Sequence, residues 1–447
     1  MPKENNTLSK RVRRYAKVTT SMAGVGARLA GEKYLGVKTE RKKLAADLRA
    51  ALGGLKGPMM KVAQMLATIP DAVPAEYAAE LAQLQADAPS MGWPFVKRRM
   101  AAELGPDWEK KFKSFSRTAF AAASLGQVHA AETPDGRQVV CKLQYPDMAS
   151  AVAADLRQLK IVMAIFERYD RAVSTGEVQK EIADRLREEL DYGLEAKHIK
   201  LYRTMLDDIG GVEVPETVDK LSTARLLTMT RLDGMRFADV LDRGQKDRNA
   251  IATHLFQAWY VPFYHYGIIH GDPHMGNYTI RKDNGVNLLD FGCVRIFPPS
   301  LVDGVIRLYH ALANGSHDEA VSAYEAWGFK NPSKALVEIL NIWAKFVYAP
   351  ILEDRTRQIA ETNTGLYGRE VAHKVHHELR KLGGVTVPRE FVFMDRAAVG
   401  LGSVFLRLDA SVNWYRLFRG LTEDFDLGKL TRNQDKLLKK QGLKSPS

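Results

Sequence analysis

Two short motifs in this 447-residue chain hold carboxylate and amide side chains at offsets suited to handling a metal-bound phosphate. His270-Gly271-Asp272-Pro273-His274-Met275-Gly276-Asn277 sets an aspartate five residues ahead of an asparagine. Asp290-Phe291-Gly292 comes thirteen residues later, after the apolar stretch Val286 to Leu289. Transfer of a γ-phosphoryl group is mostly positioning and charge neutralisation, so a site for it needs metal ligands and a carboxylate near the nucleophile. Protein kinases use these same offsets for the base, Asp272 here, and for two Mg-holding residues, Asn277 and Asp290. Either motif alone arises often by chance. Together, each beside a strand-like apolar run, they point to a site for ATP and Mg2+.

The remaining parts of such a site occur in the chain order of a kinase. Val139-Val140-Cys141-Lys142 puts a lysine on an apolar strand, a costly placement unless phosphates and a carboxylate pair with it. Ala121-Ala122-Ala123-Ser124-Leu125-Gly126 stands where a glycine-rich phosphate loop belongs. Its backbone N–H groups can face phosphate oxygens, but alanine lacks glycine's freedom at positive φ, so a stiffer loop is expected. The linker Thr228-Met229-Thr230-Arg231-Leu232-Asp233-Gly234 offers Met229 and Leu232 to an adenine ring. For the carboxylate opposite Lys142, Glu188-Glu189-Leu190-Asp191-Tyr192-Gly193-Leu194-Glu195 supplies several candidates. On a single helix Glu189 and Glu195 would occupy different faces. Upstream, Lys61-Val62-Ala63-Gln64 places Lys61 and Gln64 one helical turn apart.

The elements that must position these groups change character along the chain. From about Thr39 to Ala88 apolar residues recur at helical spacings, in three helices, and Trp93 to Leu104 reads as a fourth. After Trp108 the pattern alternates. Phe112 to Phe120, Gln127 to Glu132 and Gln138 to Leu143 read as strands, with a turn at Pro134-Asp135-Gly136. Helices are expected over Asp147–Arg168 and Glu177–Leu206, then strands at Val212–Pro215 and Arg225–Thr230 to complete a five-stranded small lobe. Beyond Phe237 the chain reads as helical, apart from short strands flanking His270 and Asp290. The fold class expected is α+β: a bilobal protein-kinase-like fold with a small antiparallel-sheet N-lobe, a mostly helical C-lobe and an N-terminal helical extension packed on the active site. The corresponding divisions are a basic arm over 1–38, the extension over 39–108, the N-lobe with inserted helices over 109–233, the C-lobe over 234–430 and a basic tail over 431–447.

Charge and composition narrow the partners. The net charge is +12, and residues 1 to 43 hold twelve Lys or Arg against three Glu. An excess confined to one arm argues against a nucleic-acid footprint. The cluster Lys10-Arg11-Val12-Arg13-Arg14-Tyr15-Ala16-Lys17 suits an anionic bilayer, where each cation contributes about 1 kcal/mol. The bland counterpart is a solvated tail. Two cysteines, Cys141 and Cys293, form no disulfide framework and suit a reducing compartment. No run of eighteen or more apolar residues occurs, and the best candidate, around Leu255 to Ile269, is broken by Pro262 and His265. A spanning helix and a secretory leader are therefore not expected, and the reading is cytoplasmic, with peripheral contact at the inner membrane surface. The apolar, glycine-containing stretch Ala397 to Leu406 reads as a packed helix.

Taken in order, Lys61-Val62-Ala63-Gln64, Ala121 to His129, Glu189-Leu190-Asp191-Tyr192, His270 to His274 and Asp290-Phe291-Gly292 resemble the AarF/UbiB atypical kinase-like family, associated with ubiquinone biosynthesis. The resemblance covers roughly residues 45 to 420. It implies that Lys142 contacts the phosphates and pairs with Glu195. Asn277 and Asp290 would hold the metal, and Asp272 would stand at the base position. Lys61 and Gln64, with Glu189 and Asp191 close by, would occlude a polypeptide substrate. The first motif departs from the family's Lys-x-Gly-Gln at Ala63, and Thr230 stands where relatives often have an acidic residue.

The resemblance implies an ATPase-like protein of ubiquinone or isoprenoid-lipid metabolism, with quinone-pathway proteins or anionic lipid as partners and room for a homodimer. A small-molecule phosphotransferase of aminoglycoside- or choline-kinase type, and a nucleotide-binding scaffold with little catalysis, are the competing classes. One feature is legible without the family. Cys293-Val294-Arg295-Ile296-Phe297-Pro298-Pro299 comes directly after Asp290-Phe291-Gly292, and helical sequence resumes near Ser300 with no Ala-Pro-Glu. The platform that holds a peptide substrate is missing, so phosphorylation of proteins in trans is not expected.

Overall fold

The computed structural model describes residues 91–122, 125–146, 148–153, 156–157, 176–360, 368–382 and 388–446. The basic arm, the first three expected helices with Lys61 and Gln64, and most of the helix expected over Asp147–Arg168 lie outside these residues. Helix α1, Trp93–Leu104, begins with Pro94 in its first turn, where a missing N–H costs nothing, and stops at Gly105 with φ of 91°. It buries Phe95, Val96 and Met100 against the small lobe.

Five short strands make that lobe: β1 (Ser114–Phe115), β2 (Ala121–Ala122), β3 (Gly126–Glu132), β4 (Gln138–Gln144) and, after β5 (Val212–Glu213), β6 (Leu226–Thr230). All ladders in this sheet are antiparallel, ordered β1-β3-β4-β6 with β2 also on β3. The β3–β4 hairpin turns at Gly136, whose φ of 86° is costly for a residue with a Cβ. Side chains of β4 alternate. Val139, Cys141 and Leu143 join the core under α1, whereas Val140 joins the main core, so Lys142 is turned to the interlobe side.

Two expectations need correction. Strand β5 does not belong to the small lobe. It pairs in parallel with β10 (Val286–Leu288), in a four-stranded sheet with β9 (Tyr278–Ile280) and β7 (Met235–Arg236). The count of five survives because the Phe112–Phe120 segment yields β1, and Ala121–Ala122, expected in the phosphate loop, forms β2. The helix expected over Glu177–Leu206 is two helices, α2 (Gly176–Glu188) and α3 (Tyr192–Leu206). Asp191 supplies the break: its carboxylate accepts from Leu194 N at 3.0 Å, an N-cap that starts a new helix.

The larger lobe packs on α4, Gln245–Tyr266, whose Ile251, Leu255, Trp259 and Phe263 are fully buried. Pro262 does not interrupt it. The ring lies one turn from the end, where a single backbone bond is lost, and Gly267 closes the helix at φ of 65°. Strand β8 (Ile268–His270) then pairs antiparallel with β11 (Val294–Ile296), enclosing both motifs between them. The rest is helical: α5 (Pro299–Asn314), α6 (His317–Ala326), α7 (Lys334–Tyr348), α8 (Arg369–Lys381), α9 (Arg389–Arg407), α10 (Trp414–Thr422) and α11 (Leu427–Lys440). The Ala397–Leu406 stretch lies within α9, as expected. Residues from 431 continue α11, where buried Gln434 donates to Tyr266 O at 2.7 Å and Phe297 O at 2.9 Å. Among the described residues no helix is long and apolar enough to cross a membrane.

Candidate phosphate and metal site

Lys142 stands where the two lobes meet. Its Nζ donates to Glu195 Oε1 at 2.7 Å, to Glu195 Oε2 at 3.0 Å and to Asp290 Oδ2 at 3.1 Å. The Tyr192 ring lies 5.3 Å from the ammonium. Glu195 is in the first turn of α3, with 2% of its side chain exposed. Burial alone disfavours the charged lysine, but Asp290 and Glu195 outweigh it and hold its pKa well above the ordinary value. Burial raises Glu195, and Lys142 pulls it back. With the ammonium at 2.7 Å the pair is ionised at neutral pH.

The Asp-Phe-Gly turn is held from several sides. Asp290 Oδ1 accepts from Gly292 N at 2.9 Å, and Glu195 Oε1 accepts from Phe291 N at 3.4 Å. His198 Nδ1–H donates to Phe291 O at 3.0 Å. Burial depresses that imidazole to about 4, so it stays neutral.

His270 joins the two motifs. Asp272 N donates to its Nδ1 at 3.2 Å, which leaves the proton on Nε2 to donate to Asp290 O at 2.6 Å. This is a core hydrogen-bonding role, and the histidine is 1% exposed. Trp259 Nε1–H donates to His270 O at 3.0 Å, fastening the loop to α4. Asn277 Nδ2 donates to Asp272 O at 3.0 Å, and Asn277 O accepts from Leu289 N at 2.8 Å. Gly400 on α9 packs so closely that a Cβ there would meet Pro273 Cγ at 2.6 Å. The Asp272 loop is therefore anchored to α4, α9 and the strand before Asp290.

Other expected residues fall into place unevenly. Glu189 lies beside Gly292, its Cγ 3.5 Å from where a Cβ would be, whereas Asp191 is committed to capping α3. Ala121 and Ala122 form β2, with Ala121 opposite Val128; Ala123 and Ser124 lie outside the described residues, as do Lys61 and Gln64. Met229 is buried opposite Val140, and Leu232 is half-buried. The Thr230 hydroxyl accepts from Glu216 N at 2.9 Å.

Sequence reasoning missed the supports. Tyr192 and His198 come soon after Glu189-Leu190-Asp191 but show their use only in three dimensions. Gln127 and His129 form a clasp. Met91 N donates to Gln127 Oε1 at 2.7 Å, and Gln127 Nε2 donates to Met91 O at 3.2 Å and His129 Nε2 at 2.8 Å. His129 Nδ1–H then donates to Ser116 O at 2.8 Å. Glu188 accepts from Arg185 at 2.6 Å and Arg295 at 3.2 Å, tying α2 to β11. Arg231 Cζ sits 5.2 Å from the exposed Phe120 ring at the mouth of the alanine loop.

The donor set suits a hard cation. Asn277 and Asp290 carry side-chain oxygens of the kind Mg2+ takes, and Mg2+ is usually bound by one or two protein groups with phosphates and water completing its shell. Among the described residues no group of three or more His, Cys, Asp or Glu forms a self-sufficient metal cage.

An antiparallel small lobe, a helical lobe and a lysine–glutamate pair between them define a protein-kinase-like fold. The chain belongs to the ABC1 atypical kinase-like family, whose domain matches residues 83–324. It is 28% identical over 273 residues to the Saccharomyces cerevisiae mitochondrial atypical kinase COQ8, covering 61% of this chain and 54% of that one. It is 32% identical over 260 residues to the Arabidopsis thaliana chloroplastic protein Activity of bc1 complex kinase 7, covering 57% and 37%. The chain thus spans about half or less of these two relatives. Among solved structures, the complex of Rv3197 with erythromycin from Mycobacterium tuberculosis superposes with a TM-score of 0.59 at 27% identity, covering 86% of this chain and 96% of that one.

Proposed function

We propose that this kinase-like chain binds Mg-ATP between its lobes and hydrolyses it, or transfers its γ-phosphoryl group, in support of ubiquinone or isoprenoid-lipid metabolism at a membrane surface. The observation that carries the reading is the placement of Lys142 between Glu195 and Asp290, 2.7 and 3.1 Å away. Glu195 orients the ammonium toward the α/β-phosphates, and the alanine loop covers them. Met229 and Leu232 line the adenine side. Asn277 and Asp290 hold Mg2+, which neutralises charge on the phosphates when bound. Asp272, with its backbone clamped by His270 and Asn277, orients the attacking hydroxyl or water and accepts its proton.

The segment after Asp290-Phe291-Gly292 disfavours protein substrates. Strand β11 begins at Val294 and pairs at once with β8, and α5 starts at Pro299, leaving no length for a peptide platform. Lys61 and Gln64, with Glu189, are assigned to occluding the site. The basic arm is assigned to anionic lipid.

Mg-dependent ATP hydrolysis by the full chain, with and without anionic liposomes, tests this. Wild type should turn over ATP and respond to liposomes, and Asp290→Asn should lose at least about tenfold in kcat. Turnover indifferent to Asp290→Asn refutes the reading.

A further inference from the structure

The larger lobe contains a second cavity, remote in composition from the phosphate site. It lies among α4, α7, α9 and α10 and has a volume of about 110 Å³. Ten of its twenty lining residues are aromatic and none is Asp, Glu, Lys, Arg or His, so a charged ligand finds no partner there. The void has a local cause. Phe256, Tyr260 and Tyr264 project from successive turns of α4, while α9 opposes them with Ala398 and Gly402. Large rings facing small residues leave space, where protein interiors normally have few voids larger than a water.

Two phenols make this more than loose packing. Tyr348 Oη donates to Val305 O at 3.0 Å. Tyr260 and Tyr264 also line the cavity, and neither hydroxyl has a hydrogen-bond partner among the described residues. Tyr264 is only 5% exposed. Their rings stack with centroids 6.0 Å apart, which brings the two side chains together on one wall. Burial pushes Tyr260 up to about 12 and raises Tyr264 as well, so both are protonated donors at neutral pH.

The geometry points to a binding site for one uncharged, largely apolar small molecule bearing a carbonyl oxygen, with the aromatic walls taking its hydrocarbon part and Tyr260 and Tyr264 donating to the oxygen. This is independent of the nucleotide reading and stands or falls separately from it.

The test uses the full chain and the uncharged fluorescent probe N-phenyl-1-naphthylamine, displaced by 2-acetonaphthone or by 2-isopropylnaphthalene, a ketone and a hydrocarbon of similar shape. Wild type should bind one probe per chain, with the ketone the stronger competitor. Tyr264→Phe, and more so Tyr260→Phe/Tyr264→Phe, should erase the ketone's advantage by roughly three- to tenfold while leaving the hydrocarbon unchanged. Ala398→Phe, which fills the void, should weaken probe binding by about tenfold or more, with circular dichroism checking the fold. Should that variant not fold, the tyrosine variants still decide the matter. Absence of saturable binding, probe binding unaltered in a folded Ala398→Phe chain, or a ketone preference that survives the double tyrosine change overturns the proposal.

Discussion

Replacing Glu195 by Gln tests the link between the lobes most directly, because it keeps the shape and removes one charge. The carboxylate is 2% exposed, takes two hydrogen bonds from Lys142 and accepts from Phe291 N. Breaking one side of a buried ion pair typically costs about 3–5 kcal/mol, since the other charge is left without its counterion in a poorly solvated place. Here Asp290 remains 3.1 Å from the ammonium, and its side chain is 38% exposed. The loss should therefore fall at the low end, about 3 kcal/mol, and appear as a lower urea midpoint with an unchanged slope. A second effect arises from the shared partner. Relieved of Glu195, Lys142 leans on Asp290 and competes with a cation for the same oxygen. Binding of a fluorescent ATP analogue should then need several-fold more Mg2+ for half-saturation. A Glu195→Gln chain with the wild-type urea midpoint and the wild-type Mg2+ requirement would refute this account of the pair.

Three further outcomes are expected. At Gly126 a Cβ would collide with Leu143 O and lie 2.8 Å from Tyr192 Oη, so Gly126→Ala should cost roughly 1–3 kcal/mol, measured by thermal unfolding. Adding Tyr192→Phe should recover only part of it, because the Leu143 clash is with backbone. His198, depressed to about 4, favours the fold through its neutral form. Its contribution is fully present above a pH of about 6.5 and is lost as pH falls from there toward 4, up to roughly 3 kcal/mol, as the unfolded chain takes up a proton that the folded one refuses. His198→Asn, which keeps a donor for Phe291 O, should flatten that part of the pH–stability curve. Cys141 is fully buried with its thiol pushed up to about 12, so it should react with a thiol reagent at about pH 8 only after denaturation.

What was legible in the sequence was what short range determines. The offsets among Asp272, Asn277 and Asp290, and the strand period that turns Lys142 away from Val139 and Cys141, are properties of a few consecutive residues. Local stereochemistry converts such spacing into direction whatever else the chain does. The kinase order of the parts, and the shortness of the segment between Asp290 and α5, were readable for the same reason. The family likeness added the pairing of Lys142 with Glu195, which spacing alone left open.

Tertiary structure decided everything that depended on which distant segments meet. Glu195 rather than Glu188 or Glu189 reaches Lys142 because Asp191 caps a new helix at that point, resetting the faces that an unbroken helix would have presented. Two-residue β5 carries too little pattern to choose a sheet, and its partner β10 lies more than seventy residues away. The Gln127 clasp on Met91, the neutral His198 beneath Phe291 and the aromatic cavity opposite Ala398 and Gly402 join side chains that no periodicity relates. The sequence by itself thus determined the chemistry available to this protein and the order of its parts. Only the packed chain decided which carboxylate, which imidazole and which void would serve them, because burial and pairing energies depend on neighbours brought together by the fold.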